Sequence, residues 1–170
     1  MLRTTLVAST LATAIAAGAC SDARLGDPVG KTIAEANFPR LKAGLWQSRE
    51  IFTTYAFGAI RRPSHTMSGQ ACHFDDSLLP AREGTCSHYA TGETADGSFV
   101  VDLDCTSNAI RTKGRETFRG DFNKHFTQEV WSEDSGGGGP PVPDLVNFIT
   151  DWTYMGPCPA GMPAHHFIPR

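Results

Sequence analysis

Cys86-Ser87-His88-Tyr89-Ala90-Thr91-Gly92-Glu93-Thr94-Ala95-Asp96-Gly97-Ser98-Phe99-Val100-Val101-Asp102-Leu103-Asp104-Cys105 is the stretch that decides the fold. Ala95-Asp96-Gly97 is a turn signal between two segments of strand-like composition, Ser87 to Gly92 and Ser98 to Thr106. If Glu93 pairs with Ser98 across a four-residue loop, Cys86 stands opposite Cys105. His88 then faces Leu103, Ala90 faces Val101, and Gly92 faces Phe99. Phe99, Val101, Leu103 and Cys105 share one apolar face, and Asp102 and Asp104 point away. Directly opposed antiparallel residues lie within disulfide reach. A two-residue loop at Asp96-Gly97 would set Cys86 against Ser107, a poorer arrangement. Register therefore predicts Cys86–Cys105, and elimination leaves Cys72–Cys158.

The same period of two recurs on both sides. Leu45 to Tyr55 is rich in aromatic and β-branched residues, and His65 to Cys72 reads as a second strand before a turn at Asp75-Asp76-Ser77. Thr112 to Arg119 and Asn123 to Glu133 flank Gly120-Asp121, a second hairpin. After the low-complexity patch Ser135-Gly136-Gly137-Gly138-Gly139-Pro140-Pro141, Asn147 to Met155 alternates again, with Phe148, Thr150, Trp152 and Tyr154 on one side. These features predict an all-β, mainly antiparallel protein. Its single curled sheet forms a barrel or half-barrel, with two disulfides and a short helix over Lys31 to Asn37. A flat sheet of that size would expose an apolar face and two edges.

The N-terminus sets the compartment. Arg3, the apolar stretch Leu6 to Ala17, and the small residues Ala17-Gly18-Ala19 before Cys20 read as a secretory signal over residues 1–19. Two cleavage readings stand: ordinary small-x-small processing, and a degenerate lipoprotein box with Ala17 where Leu is usual. Parity favours the second, because four of the five cysteines can pair and Cys20 is left over. Residues 20–40 are then lipid attachment and tether, 41–160 the β domain, and 161–170 a tail. By resemblance to Gram-negative lipoproteins, Ser21 after the cysteine directs sorting to the outer membrane in preference to the inner. The expected location is the periplasm, membrane-anchored, with a soluble secreted protein as the alternative.

Composition narrows function without assigning it. Loss of Arg3 leaves 14 basic residues against 18 acidic, a formal charge of −4, which argues against a nucleic-acid partner. His73, His88 and His165-His166 lack the close-spaced pairs of zinc sites, so no metal and no cofactor is expected. Asp75-Asp76 is a turn before it is a carboxylate pair, and no G-x-S-x-G element occurs. No catalytic residue is assigned and the chain is read as a non-enzyme. Arg119-Gly120-Asp121 is read as a tight turn with glycine at positive φ. Trp46, Trp131 and Trp152 are read as core or interface residues.

Gly44-Leu45-Trp46 opening a strand, Cys72 ending one, Cys86 and Cys105 around a hairpin, and the closing Gly156-Pro157-Cys158-Pro159 together resemble the domain of unknown function DUF3617. The resemblance spans about residues 41 to 160 and implies a small bacterial envelope protein of β-rich, four-cysteine type, with no activity attached. The Gly/Pro patch and the tail after Cys158 depart from it. Function is left with two expectations. One is a non-catalytic module that holds a small apolar or amphipathic ligand against the curled sheet. The other is a structural lipoprotein with a filled core that works through envelope protein partners. Whether Trp46, Phe52, Phe99, Leu103, Phe126 and Trp152 fill the inward face discriminates them.

Overall fold

A computed structural model describes residues 31–56, 60–74, 77–80, 84–136, 144–163 and 168–169. The signal, Cys20, Asp75-Asp76 and His165-His166 lie outside these residues. Ten strands form one antiparallel sheet. They are β1 (Lys31–Thr32), β2 (Gly44–Ala56), β3 (Ile60–Arg61), β4 (His65–His73), β5 (Thr85–Glu93), β6 (Phe99–Ser107), β7 (Ile110–Asp121), β8 (His125–Gly136), β9 (Asp144–Gly156) and β10 (Ile168–Pro169). The order across the sheet is β1-β5-β6-β7-β8-β9-β2-β4-β10, with β3 a short return on β2.

That order forces two crossings. β1 sits beside β5 near one edge, whereas β2 lies near the other, so the chain after Thr32 must traverse the sheet. It must return between β4 and β5. The two crossing segments meet: Arg40 bridges Ser77, and Leu78 N–H donates to Pro39 O at 3.3 Å. Both lie over one face of the sheet and carry apolar side chains into it. Phe38 and Leu41 from the first join Trp46, Val101, Phe118 and Phe126 in the buried core, with Leu78 and Leu79 from the second packed against them. Ile33 and Phe38, read from sequence as part of the tether, are therefore core-packing residues.

The sheet does not close, which corrects the barrel alternative. Its two end strands are two residues long, and the crossing segments occupy the interior that closure would enclose. The expected helix over Lys31–Asn37 is absent as well. Lys31–Thr32 pairs with Gly92–Glu93, and Ile33 N–H donates to Thr91 O, so only a single 3-10 turn at Glu35–Asn37 remains before Pro39. Backbone pairing with β5 satisfies donors that a short isolated helix would leave to water.

Both disulfides are present, Cys86–Cys105 and Cys72–Cys158. Register in the decisive hairpin differs from the simple reading. Cys86 faces Cys105, but a bulge at Ser87 shifts the later pairs, so that Tyr89 faces Leu103, Thr91 faces Val101 and Glu93 faces Phe99. The loop consequently grows to Thr94–Ser98, closed by Thr94 N–H to Ser98 O at 2.9 Å. Asp96 Oδ1 accepts from Thr94 Oγ1 and from Ser98 N–H at 2.5 and 3.1 Å, an Asx-type device that fixes the longer turn. His88 and Ala90 are thereby turned to the outer face, opposite Asp104 and Asp102.

The second hairpin also turns later than Gly120-Asp121. β7 runs through Asp121, and the reversal comes at Phe122–Lys124, where Asp121 Oδ1 accepts from Asn123 N–H at 2.9 Å. Gly120 does have positive φ, 122°, and a Cβ there would lie 2.6 Å from His125 O. On the far side, the sequence patch is shorter than it reads, since β8 extends to Gly136.

Candidate functional site

Alternation distributes chemistry between two faces. On the face under the crossings, partners line up across strands in rows. One row is Phe126, Trp152 and Ser48; the next is Phe118, Gln128, Thr150, Glu50 and Met67; the next is Val101, Glu116, Val130, Phe148, Phe52 and His65. The first of these rows, with Trp46 and Tyr154 beyond it and with Phe118 and Val101 at the β6–β7 side of the other two, is the filled end. Trp46 is fully buried, contacts Phe126 and Tyr154 edge-on, and donates Nε1–H to Lys42 O at 2.9 Å. Phe126 stacks on Trp152, whose Nε1 is buried without a hydrogen-bond partner. Gly44 makes this end possible: a Cβ there would lie 2.4 Å from the Tyr154 ring.

Below that end the face changes character. Gln128 Nε2 donates to Glu116 Oε2 at 3.0 Å, and Thr150 Oγ1 donates to Glu50 Oε2 at 3.3 Å. These two bonds make a polar belt from β7 to β2. Burial among Val101, Val130 and Phe118 disfavours the charged form of Glu116 and raises its pKa, opposed only in part by the Gln128 bond. Past the belt, Phe52 and Phe148 form a tilted ring pair with centroids 4.8 Å apart, flanked by half-buried Val130 and Val146. Met67 at the β4 border is 52% exposed.

The opposite, outer face is a charge lattice. Arg115 donates to both oxygens of Asp102 at 2.6 and 2.7 Å with its side chain 10% exposed, and Arg111 pairs with Asp104. Arg119 reaches Ser98 Oγ, Glu129 and Asp96. Two clefts open here. One of about 240 Å³ is lined by His88, Asp102, Asp104, Lys113 and Arg115; the other, about 190 Å³, by Thr94, Asp96, Thr117, Arg115 and Arg119. Both are shallow, and the arginines that line them are engaged by carboxylates, so the arrangement serves the sheet before any ligand. Two of the sequence candidates are placed here. His88 borders the larger cleft, and Trp131 donates to Glu129 Oε1 and packs against Tyr55 at 5.7 Å.

Other candidates are scattered. His73 meets the Trp152 ring at the filled end, far in register from His88. Among the described residues no three His, Cys, Asp or Glu side chains gather to hold a metal ion. The six residues that discriminate filled from open divide: Trp46 and Phe126 are in the buried core, Phe99 and Trp152 are partly buried against it, and Phe52 and Leu103 are in neither group. Sequence reading missed the polar belt, because Glu50, Glu116, Gln128 and Thr150 are distant in the chain and meet only through register. No family model, curated protein or solved structure matches the chain.

Proposed function

We propose that the protein is an exported, lipid-anchored envelope module that binds a small apolar or amphipathic ligand without catalysis. The single observation that carries this reading is the division of the face under the crossings. One end is filled by the chain's own Phe38, Leu41 and Trp46, and the other presents Phe52, Phe148 and Val130 beside a hydrogen-bonded polar belt. Apolar walls with a few placed polar groups are what small-molecule sites share. Two disulfides indicate an oxidising, non-cytoplasmic compartment. They account for four of the five cysteines and leave Cys20 for acylation. No helix among the described residues is long and apolar enough to cross a membrane. An acylated Cys20, with Ser21 next to it, accordingly supplies the anchor, on the periplasmic side of the outer membrane. The Gly44-Leu45-Trp46 and Gly156-Pro157-Cys158-Pro159 segments keep DUF3617 as the proposed relationship.

The filled end favours one rival, a structural lipoprotein acting through partner proteins. Native mass spectrometry of the protein purified from its own envelope separates the readings. Acyl mass on Cys20 together with a retained small molecule is the expected result. Acylation with no small molecule, and with a co-purifying protein, would favour the rival. An unacylated terminus would remove the anchor.

A further inference from the structure

The strands sort their charges by face. Every Lys and Arg of β2 and β4–β9 (Arg49, Arg111, Lys113, Arg115 and Arg119) stands at an outer-face position in the register. The face of those strands under the crossings carries carboxylates and no Lys or Arg. Glu50 and Glu116 each receive one neutral donor, Thr150 and Gln128, and among the described residues neither meets a basic side chain. Lys42, held over this face, sits 4.1 Å above the Tyr154 ring at the filled end. On the outer face, by contrast, Asp102 and Asp104 both have arginine partners.

Register places Glu50 next to the aromatic pair. Glu50 and Phe52 are successive same-face positions on β2, opposite Thr150 and Phe148 on β9. Two rings 4.8 Å apart and a carboxylate that, among the described residues, has no Lys or Arg partner therefore share one patch of four neighbouring positions. Aromatic faces attract organic cations, and a carboxylate beside them adds charge selectivity. An anionic head at the same place would meet the Glu50 carboxylate with no Lys or Arg of these strands on this face to offset it.

We infer that the open end of this face takes an organic cation with an apolar tail, its cationic head at Glu50 beside the Phe52–Phe148 ring pair and its tail over Val130 and Val146. The inference deepens the binding-module reading and rests on it. An inorganic cation fits less well, because Glu50 and Glu116 stand three strand spacings apart, roughly 14 Å along the sheet, too far to share one ion.

Isothermal titration of the oxidised mature chain with three single-chain probes below their micelle concentrations tests it: decyltrimethylammonium, decyl sulfate and an uncharged decyl glycoside. The expected result is one-to-one binding of the ammonium at least tenfold tighter than the sulfate. Glu50→Gln should remove that preference and leave binding of the glycoside unchanged. Equal binding of all three would overturn the cation inference while keeping an apolar site. Binding of none would overturn the site itself. Thermal unfolding of Glu50→Gln checks the fold. Should that variant be unstable, loss of the ammonium preference with rising salt, without loss of glycoside binding, reads the same electrostatic selectivity in the native chain.

Discussion

Phe38→Ala tests the first crossing segment, the feature that keeps the sheet open and its core closed. Phe38 is 3% exposed and lies edge-on to Phe99 and Phe118, with ring centroids 5.8 and 5.6 Å away. Truncating such a ring removes its burial and leaves a cavity that the two-sided contact cannot collapse, a cost of about 3–5 kcal/mol. For a domain of roughly 140 residues, unfolding entropy converts each kcal/mol into about 3–4 °C, so Tm should fall by about 9–20 °C. Urea unfolding followed by near-ultraviolet circular dichroism measures the free energy, with an unchanged slope showing that the unfolded reference is the same. Ala36→Ser, on the exposed turn two residues earlier, is the control and should be silent. A loss under about 1 kcal/mol for Phe38→Ala would refute the crossing as a core element and return residues 33–40 to the tether.

Removing Cys72–Cys158 should cost more than removing Cys86–Cys105, about 4–5 against about 3 kcal/mol on chain entropy alone, from separations of 86 and 19 residues; paired Cys→Ala variants in denaturant check the order. Gly44→Ala should destabilise by about 2 kcal/mol or more, since the new Cβ would strike Tyr154 and φ is 146°, read as a lowered urea midpoint. Glu116 has a folded pKa raised by burial, so its contribution is intact below the unfolded value and lost as pH rises through the folded one. Glu116→Gln should accordingly raise Tm at pH 7 and show a shrinking advantage as the pH falls toward 4; an unchanged Tm at pH 7 would contradict the burial argument. Asp96 has its pKa lowered to about 2, chiefly by the Thr94 hydroxyl bond. Its contribution is therefore present above the ordinary carboxylate range and lost as pH falls through about 2, and carboxylate NMR of wild type against Thr94→Val should show the midpoint rising.

Alternation decides which parts of the fold were legible in the sequence. β6 shows its faces plainly, since Phe99, Val101, Leu103 and Cys105 cannot share a side with Asp102 and Asp104, and the structure keeps that division. β5 does not, because Ser87, His88, Ala90, Thr91 and Gly92 have no strong apolar contrast. A one-residue bulge there reverses the faces at no visible cost in pattern. The crossing segments were hidden for another reason. Ile33, Phe38 and Leu41 sit among polar residues and breakers with no period, and only the strand order shows that the chain must pass over the sheet there. The polar belt was hidden in the same way. Glu50 and Thr150 are a hundred residues apart, and no local pattern announces a cross-strand hydrogen bond.

Edge chemistry bears on how the protein meets others. A long free strand edge invites pairing with another chain. On one side, β1 covers Gly92–Glu93 and the bulge at Ser87 interrupts the ladder of β5. On the other, β10 caps Gly69–Gln70 of β4 and ends its own ladder with Pro169, which has no N–H to offer. On the β4 edge, among the described residues, this leaves Ala71–His73 and, longer, His65–Ser68, a run that carries Met67 and adjoins the Phe52–Phe148 patch. A partner that added a strand there would cover the same border from which a ligand enters. Strand addition and ligand binding would therefore compete for one border of the sheet. A protein-partner function and a ligand-binding function are then distinguishable by whether decyltrimethylammonium displaces the partner.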